Sequence, residues 1–130
     1  RSIVDLKNPI SVEFLKKKLN QSSDKNGVYF KKDFNDIGPG GASLYLNKTE
    51  AGAIDINDKL WDMKFKINGH NIHCDALVKS VQLLGPEDDN ELVYKAYKIG
   101  LKFVFRKEND KYILEEFIHS NMPANQIITR

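Results

Sequence analysis

Trp61-Asp62-Met63-Lys64-Phe65-Lys66-Ile67-Asn68-Gly69 is the stretch on which the fold turns. Trp61, Met63, Phe65 and Ile67 alternate with Asp62, Lys64, Lys66 and Asn68, the period of two that marks a half-buried strand. Asn68-Gly69 follows at once. A type I′ turn needs positive φ at both central residues, so this pair predicts a tight hairpin. The return strand runs through Ile72, Cys74, Ala76 and Val78 towards Leu84. Gly85-Pro86 and Asp88-Asp89-Asn90 then predict a loop. The chain comes back as Leu92 to Phe105, with Tyr97, Ile99, Leu101, Phe103 and Phe105 on one face.

Working outward, Pro9 opens an alternation at Ile10, Val12 and Phe14, while Lys16 to Leu19 fits either more strand or a short helix. Gln21 to Gly27 is a polar loop. Val28 to Ile37 predicts one strand, its alternation disturbed at Lys31-Lys32-Asp33. Ala42 to Leu46 is a short strand after a glycine turn, and Asn47 to Asp58 is mostly loop. At the far end Asn109 or Asp110 can cap a helix. Ile113, Leu114, Phe117 and Ile118 form its apolar stripe, and Asn121 and Pro123 end it. The expectation is a mainly β domain. Six antiparallel strands curl into a barrel, and the C-terminal α-helix covers one opening or edge.

Composition sets the outer limits. With 130 residues, 41% hydrophobic and 29% charged, the chain reads as one globular domain over 1–130 rather than a disordered segment. It opens Arg1-Ser2-Ile3 without Met, which suits a piece of a longer chain. The net charge of +2 excludes a dedicated coat for duplex nucleic acid but leaves room for a small anion. No apolar run is long enough for a membrane span. The single cysteine, Cys74, points to a reducing, cytoplasmic setting.

The most unusual local sequence is Asn35-Asp36-Ile37-Gly38-Pro39-Gly40-Gly41-Ala42. Glycine permits positive φ and close approach to the backbone, and proline fixes the middle of a turn. Asp36 stands where the incoming strand ends. Its carboxylate can either accept hydrogen bonds from the N–H edge of a guanine or cap the turn's own amides.

Asp36-Ile37-Gly38-Pro39-Gly40-Gly41 resembles the D/N-x-S-x-x-G signature of the PilZ family. Pro9-Ile10 is similar to the Pro-Val/Ile pair that precedes the signature. The hairpin from Met63 to Val81 and the run Tyr97-Lys98-Ile99-Gly100-Leu101-Lys102-Phe103 follow in the family's order. The last has the form Y-x-I/V-G-x-x-F, and a terminal helix closes the chain. The resemblance covers nearly all 130 residues. It implies a six-stranded barrel with a C-terminal helix that is a binding module and not an enzyme. The ligand it implies is the bacterial messenger cyclic di-GMP, with no cofactor or metal, and the setting is bacterial regulation such as that of motility. In the family an R-x-x-x-R pair near the N-terminus grips the phosphates, a task that suits the planar, forked guanidinium. By the resemblance, the ligand-binding residues are Arg1, Asp36, Gly38, Gly40 and Gly41; counted back from Pro9 the pair falls near Ile3 and before Arg1, so it is either trimmed or slipped, with Arg1 as its remnant, or absent. The chain departs from the family in two places: Gly38 stands where the signature has serine, and no R-x-x-x-R occurs. Lys31 and Lys32 are near enough in sequence to substitute in part. A degenerate member that serves as a protein-interaction adaptor is the alternative, and another protein or domain is an expected partner under either reading.

Other constellations carry less. His70, His73 and Cys74 have ligand chemistry, but strand geometry points His73 away from the other two, and no second cluster completes a metal site. Glu87-Asp88-Asp89 and Glu115-Glu116 read as solvated surface. Tyr94, Tyr97, Phe103 and Phe105 interleave with Lys95, Lys98 and Lys102 as in a nucleic-acid-binding strand. The aromatic face matches Ile99 and Leu101, however, which places it in the core, and no nucleic acid polymer is expected as a partner.

Overall fold

The computed structural model describes residues 4–5, 9–17, 27–84 and 96–121. The elements are β1 (Val4–Asp5), β2 (Ser11–Lys16), β3 (Val28–Asp33), β4 (Asp36–Ile37), β5 (Gly41–Leu46), α1 (Lys48–Ala51), β6 (Lys59–Ile67), β7 (His70–Leu83), β8 (Tyr97–Phe105) and α2 (Glu108–Asn121). The strands form one sheet in the order β1-β4-β5-β8-β7-β6-β2-β3. Every pairing is antiparallel. Arg1, the loops at 21–26 and 85–90, Tyr94, Lys95 and Pro123 lie outside the described residues.

The expected six-stranded barrel is corrected in two ways. The sheet has eight strand segments, two of them only two residues long. Among the described residues it is also open, since no ladder joins its ends. The physical reason lies in the run Val28 to Ile37, expected as a single strand. It breaks at Phe34-Asn35 into β3, which pairs with β2, and β4, which pairs with β5. The Phe34 N–H donates to the Ile10 carbonyl (3.0 Å), and the next amide, Asn35, donates to the Ser43 carbonyl (2.8 Å). The sheet is therefore curled far enough for one chain segment to serve both ends. Phe34 points into the curl and packs edge-on against Phe65 (5.0 Å between centroids) and Phe103 (6.1 Å).

The central hairpin forms as expected, with Asn68 at φ 48° and Gly69 at φ 82°. Met63, Phe65 and Ile67 are buried. Trp61 is not on that face, because the register of β6 against β7 shifts between Leu60 and Met63, and Asp62 takes a φ of 52°. This bulge turns Leu60 inward and leaves Trp61 half-buried, its ring beneath the ammonium groups of Lys59 (3.9 Å) and Lys17 (4.1 Å). The segment Asn47 to Asp58 is mostly loop, as expected, but also holds the four-residue α1. Asn47 and Glu50 make a reciprocal capping box there, at 2.8 and 2.9 Å.

The C-terminal helix starts at Glu108, so Asp110 lies inside its first turn rather than at its cap. Asp110 is buried, and its carboxylate accepts the His73 backbone N–H of β7 (3.2 Å). Leu114 and Ile118 are buried, with Ile113 and Phe117 packed beside them. The helix meets β6, β7 and β8 and joins a single cluster of buried residues, so it covers one opening of the curl.

Candidate ligand-binding cleft

Asp36 ends the kinked run at β4 and faces Ser43 of β5 across the ladder. Its Oδ1 accepts the Ser43 hydroxyl (2.8 Å), and Ser43 Oγ in turn accepts the Asn35 side-chain amide (3.1 Å). The carboxylate thus does not cap the turn. The Gly38 N–H donates instead to the Gly41 carbonyl (2.7 Å). A carboxylate has about four acceptor sites, so this half-buried group keeps capacity for a donor arriving from solvent.

The turn's glycines act through space rather than through φ. Among the described glycines only Gly69 has positive φ. A Cβ on Gly41 would overlap the Leu101 carbonyl oxygen of β8, so that position needs a bare backbone. Gly40 accepts from the Phe103 N–H (2.8 Å), which pins the turn onto β8.

A cleft of about 710 Å³ opens over this turn and the outer faces of β5, β8 and β7. Its floor is the row Ser43, Gly100 and Ser80, register partners on three neighbouring strands. A Cβ at Gly100 would stand 2.5 Å from Ser80 Oγ. Lys98 and Lys102 lie two positions to either side of Gly100 and therefore share its outward face. Lys79 joins them from β7, where the register against β8 shifts between Val78 and Ser80. That bulge makes Lys79 the extra residue and aims it at the cleft.

The fold thus brings Asp36, Gly38, Gly40 and Gly41 to one cleft. Arg1 lies outside the described residues. The suggested substitutes, Lys31 and Lys32, are not at the cleft. Lys32 is bound to Glu50 (2.9 Å), and Lys31 lies beside Glu13 and Lys64 on another part of the sheet. Sequence reasoning missed Ser43, Ser80 and Lys79 altogether. It noticed Lys98 and Lys102 only as the lysine face of an aromatic strand. Their placement on either side of Gly100 was the available signal.

A second charged group sits on β6, β7 and the end of β8. Arg106 donates from Nε to Asp75 Oδ2 (3.1 Å) and from Nη2 to Asp75 Oδ1 (2.7 Å) and Asp62 Oδ1 (2.9 Å). His73 Nε2 lies 3.1 Å from Asp62 Oδ1 and 3.0 Å from Arg106 Nη1. The hydrogen bond from His73, reinforced by Arg106, holds the Asp62 carboxyl below its usual range. Burial pushes Asp75 up, but Arg106, the Asp62 N–H and Lys59 outweigh it, so Asp75 too is held low. Both carboxylates raise Arg106 in turn. Burial, with Asp75 and Asp110 nearby, pushes the Cys74 thiol up to about 12. Among the described residues no cluster of three or more His, Cys, Asp or Glu could hold a metal ion.

No protein-family model and no curated protein matches the sequence. Solved structures do match by shape. The Klebsiella ("K. pneumonia") MrkH–c-di-GMP complex superposes with a TM-score of 0.64 at 20% identity, over 88% of this chain and 48% of that one. The PilZ domain of YcgR from Escherichia coli, solved with c-di-GMP, gives 0.64 at 14% identity, over 92% of this chain and 87% of that one. The Bacillus subtilis inhibitor of motility MotI/DgrA gives 0.59 at 13% identity, over 92% and 50%. The chain spans about half the length of MrkH. At these identities the likeness is one of fold, and by its fold this chain is a PilZ-like domain.

Proposed function

We propose that this chain is a bacterial regulatory module of the PilZ type that binds cyclic di-GMP across the Asp36–Gly41 turn. The observation that carries the reading is the position of Asp36. It is held by Ser43 at an open cleft, with acceptor capacity left over from that bond. A guanine presents adjacent N–H donors, and a fixed carboxylate can take both. Two solved relatives in shape are complexes with c-di-GMP. The module binds rather than catalyses. Its output is a changed surface offered to another protein or domain, since a ligand shifts an equilibrium only by preferring one state. A cytoplasmic location suits a receptor for an intracellular messenger.

The test is calorimetric titration with cyclic di-GMP. The parent chain binds, and Asp36→Ala loses about tenfold or more in affinity, the worth of a charge-assisted hydrogen bond. Equal affinity in the two proteins would overturn the site. The second reading is an adaptor that binds protein alone. It is favoured by Gly38 in the place of the signature serine. Silence from the parent in the same titration selects it.

A further inference from the structure

We infer that Lys79, Lys98 and Lys102 are the phosphate-binding groups of the cleft. The inference rests on the reading of the cleft as a cyclic di-GMP site and assigns the part of the ligand that Asp36 cannot hold. A carboxylate repels phosphate, so an anion of this kind needs cations elsewhere in the same hollow. Lys98 and Lys102 stand four residues apart on β8, about 13 Å along the strand. Gly100 lies between them with no side chain to block approach. Long lysine stems on either side can lean inward over that floor. Lys79 approaches from the neighbouring strand because the bulge turns it there.

Two features distinguish these lysines from ordinary surface charge. First, they converge on one concavity together with Ser43 and Ser80. Second, the charge matches. Three ammonium groups against the single carboxylate of Asp36 leave a surplus of two, and a cyclic dinucleotide carries two phosphodiester charges.

Lysine also predicts a different binding behaviour from arginine. An ammonium is a point charge that neither forks nor stacks. Recognition here should therefore depend more on ionic strength than on hydrogen-bond geometry.

The experiment is calorimetric titration of cyclic di-GMP into the chain and its variants at low and at physiological salt. The variants are Lys98→Gln, Lys102→Gln, Lys79→Gln and the double control Lys64→Gln/Lys66→Gln, whose lysines are exposed on β6 away from the cleft. Lys98→Gln and Lys102→Gln each lose about tenfold in affinity. Lys79→Gln loses less, the control stays at the parent value, and the loss of affinity with salt is shallower in the cleft variants. Thermal unfolding of each variant excludes misfolding as the cause. If the parent binds and the three cleft variants bind as tightly, with the same salt dependence, the lysine assignment is overturned while the Asp36 site stands. If the parent does not bind, the reading of the cleft falls and the lysine assignment falls with it.

Discussion

Charged side chains meet opposite fates at two places on the same sheet. At Arg106, one guanidinium satisfies Asp75 through two bonds and Asp62 through a third, with His73 closing the group. Over Gly100, three lysines and a carboxylate share a hollow. The first arrangement is complete in the free protein and holds β6, β7 and β8 together. The second is open among the described residues, and by our proposal a ligand completes it. A charge that has spent its hydrogen bonds inside the fold contributes to stability, whereas one kept open in a concavity is available for recognition.

The two regions should therefore respond differently to the same kind of change, and the backbone beneath the cleft gives the largest effect. Gly41→Ala would force a Cβ into the Leu101 carbonyl, and backbone cannot step aside as a side chain can. We expect a loss of about 3 kcal/mol, at the upper end for overpacking, read by urea unfolding. Gly100→Ala meets only Ser80 Oγ, which can rotate, so it should cost about 1 kcal/mol while raising the cleft floor and weakening ligand binding. Equal costs would remove the distinction between a glycine kept for packing and one kept for access.

Next in size is Arg106→Ala. It leaves Asp75, only 6% exposed, without its main partner. Because the outer half of the group is wet, the expected loss is about 2–3 kcal/mol rather than the full cost of a dry pair. Lys98→Gln and Lys102→Gln should stay within about 0.5 kcal/mol of the parent. A large loss from either lysine would mean that the cleft is structural after all.

Acid gives the smallest effect and tests the Arg106 corner alone. Asp62 and Asp75 are both held below their ordinary carboxyl values. On acidification the unfolded chain therefore takes up protons before the folded one. The stability these groups supply is complete above the unfolded carboxylate range, near pH 4, and drains as the pH falls through their depressed folded values. Unfolding measured from pH 6 downward should show this loss in the parent and much less of it in Arg106→Ala.

Legibility in the sequence followed how local each signal was. Met63 to Ile67, the Asn68-Gly69 turn, the face from Ile99 to Phe103 and the stripe Leu114–Ile118 each carry a period or a turn requirement within a few residues. The structure agrees with all of them. Bulges are harder, since they depend on the partner strand. Nothing in Trp61-Asp62 or Val78-Lys79-Ser80 shows which residue is extra, and so Trp61 was assigned to the wrong face and Lys79 went unnoticed. The break at Phe34-Asn35 is tertiary too, because it exists only where two ends of a curled sheet compete for one segment. The helix α1 could have been read, since Asn47 and Glu50 have capping-box spacing, but four residues give no periodicity to support it. Of the site, the Asp36–Gly41 turn was visible as a motif. The lysines belonging to it come from strands more than thirty residues away and became part of it only through register.

The two neighbouring amides at Phe34 and Asn35, hydrogen-bonded to opposite ends of the sheet, make the circumference of the curl a whole number of residues. Side chains along an extended segment change sides at every step. A single residue inserted between those amides would put one side out of step, either turning Asp36 from the rim towards the oily interior or swinging Phe34 out into water. The girth of the hoop and the aim of its carboxylate are thus one quantity, counted along three peptide bonds between Asp33 and Asp36.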